Sequence, residues 1–167
     1  MKEELDFEEQ SVFLLPLVVQ DRGVESLSGR TILAVNVQDI NDNFPTITVE
    51  VISGSAGVIE VAENFEDHGL TLALVTVTDL DSGRNGRVVC GLDGDSSTFQ
   101  MVEIYRGQFH ITAVSTFDRE ERNRYSLVIE CRDLGDPPLS SSTVVNVTLV
   151  AWTSSKITAN PTSYFLI

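Results

Sequence analysis

The chain has 167 residues, 42% of them hydrophobic, and a formal net charge of -14 from 25 acidic against 11 basic side chains. That length holds one full domain and part of another. The charge excludes nucleic acid, which needs a basic patch, and anionic lipid, and the recurring apolar runs exclude wholesale disorder. Solubility and cation binding remain as reasons for the acidity, so the placement of the carboxylates decides between them.

The first residues, Met1 to Asp6, are acidic and lack the apolar core of a secretory signal. No run reaches the roughly 18 apolar residues of a membrane span. Pro16, Gln20 and Asn146 interrupt the longest candidates. The chain is therefore read as a soluble piece or as part of a longer protein. Asp6 and Glu8 precede the first apolar run, and an Asp/Asn-rich stretch, Asp39-Ile40-Asn41-Asp42-Asn43, follows at Pro45. Beyond it, a period of two dominates. Val58 to Ala62 predicts an early strand. Thr71 to Thr78 alternates Leu72, Leu74, Thr76 and Thr78 against Ala73, Val75 and Val77, and ends at Asp79-Leu80-Asp81. Val88, Cys90 and Leu92 predict the next strand, and Phe109, Ile111 and Ala113 follow the Arg106-Gly107 turn. Asp118 and Glu120 then precede a strand of Tyr125, Leu127, Ile129 and Cys131, which ends at Asp133, and Val145, Val147 and Leu149 predict the last. Turn residues separate the runs at Ser82-Gly83, Asn85-Gly86, Asp93-Gly94 and Gly135-Asp136-Pro137-Pro138. About seven short strands without a helix read as an all-β sandwich of roughly 100 residues.

An internal repeat organises these elements. Residue i matches residue i+112 without a gap: Asp6 with Asp118, Phe13 with Tyr125, Asp21 with Asp133, Gly23 with Gly135, Ser28 with Ser140 and Val35 with Val147. The match then breaks, because Asp39-Ile40-Asn41-Asp42-Asn43 falls opposite Ala151-Trp152-Thr153-Ser154-Ser155. Residues 1–43 are accordingly read as the back half of one module, residues 44–151 as a complete module, and residues 152–167 as a divergent tail. The half-module lacks its early strands and should leave a core face and a sheet edge uncovered.

The two cysteines, Cys90 and Cys131, fall on predicted neighbouring strands, where they either pair or stand as two buried thiols. The thiol reading is preferred, because direct cross-strand bridges are strained.

The acids gather at strand ends and repeat with the module. Several carboxylates at one pole repel one another unless a cation lies among them. Calcium suits such a set, since it takes 6–8 oxygens, backbone and Asn carbonyls included, in flexible geometry; magnesium prefers a small octahedral shell. An EF-hand does not fit. A loop starting at Asp39 has Phe44 and Pro45 at its sixth and seventh places, and one starting at Asp79 has Gly83 fifth and Cys90 twelfth.

Taken in order, Asp39-Ile40-Asn41-Asp42-Asn43 with Pro45, Ala62-Glu63-Asn64, Asp79-Leu80-Asp81, Asp118-Arg119-Glu120, Arg132-Asp133 and Leu134-Gly135-Asp136-Pro137 resemble the cadherin superfamily across residues 1 to about 150. The runs Asp81 to Gly86 and Gly135 to Ser140 look more like the repeats of protocadherins, Fat and Dachsous than those of the shorter adhesive cadherins. The resemblance implies a seven-stranded, immunoglobulin-like Greek-key sandwich and three calcium ions at each junction between repeats. It implies that Asp6 and Glu8 serve from the base of the first module. Asn41 and Asp42 offer side-chain oxygens, Ile40 and Asn43 offer backbone carbonyls, and Asp39 has a weaker role. Asp79, Asp81 and Asp133, with a backbone oxygen from Asn85, receive the ions on the second module. Glu63, Asp118 and Glu120 belong to the next site, which is incomplete because residues 152–167 carry no acid. It further implies calcium-dependent adhesion, homophilic or otherwise, to other cadherin repeats in cis or trans, on the outer surface of the plasma membrane as part of a membrane-anchored parent. A secreted or truncated calcium-binding sandwich is the alternative.

Asn146-Val147-Thr148 is an N-glycosylation sequon, whereas Pro161 disqualifies Asn160. Trp152 lies at the wrong end of its module for strand-swapped adhesion. His68 and His110 lie far apart and near no cysteine cluster, which argues against zinc or triad chemistry. A carboxylate-based hydrolase is the distant alternative, and the chain is read as no enzyme.

Overall fold

The computed structural model describes residues 5–55, 57–63 and 69–151. Two strands, β1 (Val12–Gln20) and β2 (Ser28–Asn36), form an antiparallel hairpin. Nine more follow: β3 (Thr46–Val51), β4 (Gly54–Ser55), β5 (Val58–Ala62), β6 (Leu70–Thr78), β7 (Val88–Asp93), β8 (Phe99–Tyr105), β9 (Gln108–Ala113), β10 (Arg124–Asp133) and β11 (Ser140–Val150). These nine make two sheets in the orders β4-β5-β11-β10-β7 and β3-β6-β9-β8. All ladders are antiparallel except β5 with β11. The non-sequential orders carry the chain back and forth between the layers, as in Greek-key sandwiches.

The expected count of about seven becomes nine because, beside the six runs named from the sequence (β5, β6, β7, β9, β10 and β11), the sandwich holds β3, β4 and β8, with the chain changing sheets between β3 and β5. β3 pairs with β6 in one sheet, and β5 pairs with β11 in the other. Between them Gly54 takes a positive φ, and a Cβ there would collide with the Val58 carbonyl.

Alternation sets the core. Tyr125, Leu127, Ile129 and Cys131 of β10, and Val145, Val147 and Leu149 of β11, turn inward. Beside Ile59 of β5 in the same sheet, they meet Val75, Val77, Phe109 and Ile111 from the facing sheet. Phe99, Phe117 and Tyr125 close one end as an aromatic trio with centroids 5.1 to 6.0 Å apart. In β6 the strict alternation fails, since Leu72 and Ala73 are both buried. A register shift between Thr71 and Ala73 turns two consecutive residues inward.

The two cysteines are not buried thiols. Cys90 lies directly opposite Cys131 on β7 and β10, their Cα atoms are 4.1 Å apart, and they form a disulfide. Proximity in the ladder outweighed the expected reluctance of adjacent strands to be bridged.

The hairpin repeats β10 and β11 at the predicted offset. Val12 pairs with Asn36 as Arg124 pairs with Thr148, and Gln20 pairs with Ser28 as Arg132 pairs with Ser140. Its loop repeats too: Gly23 and Leu27 donate to Asp21 Oδ1, as Gly135 and Leu139 donate to Asp133. Packing does not repeat. Leu14, Val18, Val19 and Ile32 are each more than 60% exposed, so the hairpin has its register but no facing sheet.

Candidate metal centre

Four short segments meet at one end of the sandwich, each shaped by an acid at its turn. In the first, Asp6 Oδ1 accepts from the amides of Glu8 (2.9 Å) and Glu9 (3.2 Å), and Gln10 N bonds the Asp6 carbonyl. The same turn recurs 112 residues on, where Asp118 Oδ1 accepts from Glu120 and Glu121. Val37 N donates to Ser11 O, which brings the second segment, residues 37–45, beside this turn. The third is the loop 79–87. Its Asp79 Oδ1 accepts from Asp81 N at 3.0 Å. Gly86 approaches the Asp81 carbonyl so closely that any Cβ would collide with it. The fourth is the loop 133–139, tied to Asp133 by Gly135 N and Leu139 N at 2.8 and 3.0 Å.

Residues 39–43 are zipped onto the 79–87 and 133–139 loops by amides donating to carboxylates. Asn43 gives its backbone N (3.2 Å) and Nδ2 (2.6 Å) to the two oxygens of Asp81, and Nδ2 also reaches Asp42 at 3.0 Å. Asn41 Nδ2 donates to Asp133 Oδ2 (3.1 Å) and to the Pro137 carbonyl (2.8 Å). Both partners are acceptors, so the orientation of the Asn41 amide is fixed. Asp39 accepts from Ser82 N and from Asn85 Nδ2 at 3.2 and 2.9 Å. The Ile40 carbonyl accepts from Asp42 N.

The arrangement brings together carboxylates that are distant in sequence. Glu8, Asp42 and Asp81 each offer an oxygen, and the three oxygens lie within 4.8 Å of one another. Asp81 and Asp133 are buried, at 7% and 1% exposure. Among the described residues, two buried acceptors have no hydrogen-bond partner, Asn41 Oδ1 and Asp79 Oδ2. Burial, joined by the charges of Asp81, Asp133 and Asp39, pushes the Asp79 carboxyl above its ordinary value. Glu8 is exposed as a residue, yet local desolvation, with Asp6 and Asp42 beside it, raises its carboxyl too. Crowded carboxylates and two unpartnered buried oxygens, with no ion pair at this pole among the described residues, form a hard, all-oxygen donor set that suits calcium.

Sequence reasoning read Asp39 as the weaker member and Asn85 through its backbone. Here Asp39 accepts two hydrogen bonds from the 79–87 loop, one of them from the Asn85 side chain. It missed the Pro137 carbonyl and Gly135. A Cβ on Gly135 would overlap the Asn41 side chain, so the glycine makes room for the very amide the motif singled out. The Gly-Asp-Pro-Pro run signalled a turn and a family motif, not a contact with Asn41.

At the opposite end, Glu63, Asp118 and Glu120 line one cleft. Glu63 is engaged by Arg119 Nε at 3.1 Å, and no cluster of three carboxylates like that of Glu8, Asp42 and Asp81 forms there among the described residues. Asn64, His68, Trp152 and the rest of 152–167 lie outside the described residues. Asn146 is exposed on β11.

This two-layer sandwich with acids converging at one pole defines a class, and the sequence profile of the cadherin domain matches residues 58–150. The chain belongs to the cadherin superfamily, whose domains are non-catalytic adhesion modules. Within it, the repeat is of the extracellular protocadherin type. Protocadherin alpha-12 of Homo sapiens and of Pan troglodytes are each 35% identical over 144 residues, which is 86% of this chain and 15% of theirs. The chain thus spans about a seventh of the curated relatives it matches. Among solved structures, a protocadherin gammaB7 EC3-6 cis-dimer superposes with a TM-score of 0.78 at 32% identity, over 90% of this chain and 34% of that one. A structure of protocadherin gamma B7 extracellular domains 1-4 gives 0.76 at 33%, over 88% and 34%.

Proposed function

We propose that the chain is a calcium-binding adhesion module from the extracellular part of a longer, membrane-anchored protein. Residues 1–43 are the end of one repeat with its linker, residues 44–151 are a complete repeat, and residues 152–167 depart from the repeat pattern. Calcium is held where the two units meet. Glu8 and Asp6 serve from the first unit, Asn41, Asp42 and the Ile40 and Asn43 carbonyls from the linker, and Asp79, Asp81, Asp133 and Asn85 from the second. Asp39 braces the linker against the 79–87 loop. The observation that carries this reading is the pair of buried, unpartnered oxygens, Asn41 Oδ1 and Asp79 Oδ2, beside the Glu8–Asp42–Asp81 cluster. Unsatisfied buried acceptors are costly, and one kind of ligand, a cation, answers both them and the crowded charge.

When bound, calcium supplies positive charge that neutralises the carboxylates and bridges the two units. The protein supplies the rest. The Asp6 turn aims Glu8 at the junction, the fixed Asn41 amide leaves its oxygen inward, and the Asp133 loop is pre-ordered by two backbone amides. A stiffened junction turns a string of repeats into a rod whose faces pair with other repeats in cis or trans, a homophilic partner among them. The relative solved as a cis-dimer supports that class of partner. Exposed Asn146, in its sequon, is the glycosylation site of this reading.

Calorimetric titration tests the proposal. The full chain takes up calcium with a dissociation constant of about 0.1–1 mM, typical of extracellular modules, and Asp42→Ala with Asp81→Ala abolishes that uptake. A flat titration of the native chain, or undiminished uptake by the double variant, overturns it.

A further inference from the structure

The sandwich has an open side. β7 ends one sheet and β8 ends the other, and a groove runs between these two edges. Its two halves share Cys90 and Met101 on the floor. Along its rim stand Val89 (47% exposed), Ile104 (44%) and Tyr105 (71%).

The charge here is opposite to that of the chain. Arg84, Arg87 and Arg106 line the groove, and Arg132 lies across the ladder from Val89 on its flank. Arg119 and Arg122 are paired with Glu63 and Asp95, whereas none of these four arginines has an ion pair among the described residues. Arg106 donates only to the Gly86 carbonyl, at 3.4 Å. Glu103 lines the groove as well, but its carboxylate accepts from Gly107 N. Glu130 and Asp93 sit farther along the flank with Arg132. In a chain of net charge -14, three arginines lining one groove at the sheet edge, with a fourth on the flank, are not demanded by the fold.

We propose that this groove is a docking site for an extended acidic peptide segment of another protein, which adds as a strand to the free edge of β7. Three observations converge on that occupant. A sheet edge offers unpaired backbone groups that an extended peptide satisfies. The apolar rim and floor take alternate side chains of such a strand, as its period of two requires. The arginines take the carboxylates in between, and their planar forks suit carboxylates. Charged edges also guard sheets against aggregation. Guarding alone, however, accounts neither for a groove nor for exposed Ile104 and Tyr105 beside the charges.

The probe is a fluorescein-labelled peptide of alternating Glu and Val, followed by fluorescence anisotropy with the full chain. Saturable binding is expected, falling at least about tenfold as salt rises from roughly 0.05 to 0.5 M. Arg87→Glu with Arg106→Glu abolishes it, and Ile104→Ser with Tyr105→Ser weakens it severalfold. The same reversal at Arg22, in the hairpin loop, changes nothing. Circular dichroism confirms that each variant retains the sandwich, and Arg84→Glu with Arg132→Glu serves should the first pair not fold. Four outcomes overturn the proposal: no saturable binding, binding untouched by the reversals, binding of heparin but not of the peptide, and self-association of a further variant, Arg87→Ser with Arg106→Ser, while the native chain ignores the peptide.

Discussion

Asp81 is where the account is most exposed to a single substitution. It is 7% exposed and accepts two hydrogen bonds from Asn43, at 3.2 and 2.6 Å. Asp81→Ala deletes both and also removes one carboxylate from the cluster with Glu8 and Asp42. Hydrogen bonds to charged groups contribute about 1.5–3 kcal/mol each, so two at the lower end amount to about 3 kcal/mol. Relief of repulsion on Asp79 offsets part of this, leaving a loss below about 3 kcal/mol with calcium chelated. Calcium adds a separate term. At about 10 mM calcium over a dissociation constant of about 0.1 mM, binding stabilises the native chain by about 2.7 kcal/mol. A tenfold weaker site in the variant retains only about 1.4 kcal/mol of that. The assay is thermal unfolding of both proteins in EGTA and in calcium. At about 2–4 °C per kcal/mol for a chain of this length, the calcium-induced rise in Tm shrinks by several degrees in the variant. An equal rise in both proteins refutes the placement of Asp81 in the site.

Three further outcomes follow from the same structure. Leu127 is fully buried between the sheets, so Leu127→Ala lowers stability by about 2–5 kcal/mol, read from the denaturant midpoint; a change below about 1 kcal/mol contradicts the core described. Asp79 titrates above the ordinary carboxylate value in the fold, so in EGTA its contribution to stability is present at acid pH and is lost as pH rises through the elevated folded value. Melting curves between about pH 3.5 and 7 show this decline in EGTA, and Asp79→Asn flattens it; an unchanged slope in the variant contradicts the assignment. The Cys90–Cys131 bridge closes a loop across 41 residues, so its reduction costs about 4 kcal/mol by loop-closure entropy; denaturant midpoints with and without dithiothreitol measure it, and alkylation of both cysteines in the unreduced chain excludes the bridge.

The repeat made much of the structure legible. An offset of 112 residues carried over the pairing of β10 with β11 to β1 with β2, and the Asp133 loop to the Asp21 loop, because backbone register and turn chemistry are local. It was silent on packing. Leu127, Ile129 and Cys131 are buried, whereas their counterparts Leu15, Leu17 and Val19 are exposed, since burial depends on what lies opposite. β3 was overlooked although Ile47, Val49 and Val51 alternate cleanly with Thr46, Thr48 and Glu50; it sits directly behind the Asn-rich segment and reads as its continuation. β8 was obscured by outward Val102 and Ile104, which blur its alternation, and by the register shift between Glu103 and Tyr105. At the candidate site, residue types and spacing revealed which acids gather at a pole. They did not reveal the space at Gly135, the Pro137 carbonyl or the direction of the Asn41 amide, because each depends on a contact across 92 residues or more. The disulfide was misjudged for a different reason: the strain expected of a bridge between directly opposed strand positions was given too much weight, and Cys90 and Cys131 are bridged from such positions.

The central claim is that residues of the first turn, the 39–43 segment and the complete module share one cation site. A crystal structure of the chain grown with calcium tests it most directly. The account predicts calcium among Glu8, Asp42 and Asp81, with ligand oxygens at about 2.3–2.6 Å that include Asn41 Oδ1 or Asp79 Oδ2. Calcium bound elsewhere, with those two oxygens still unpartnered and the three carboxylates splayed apart, would contradict it.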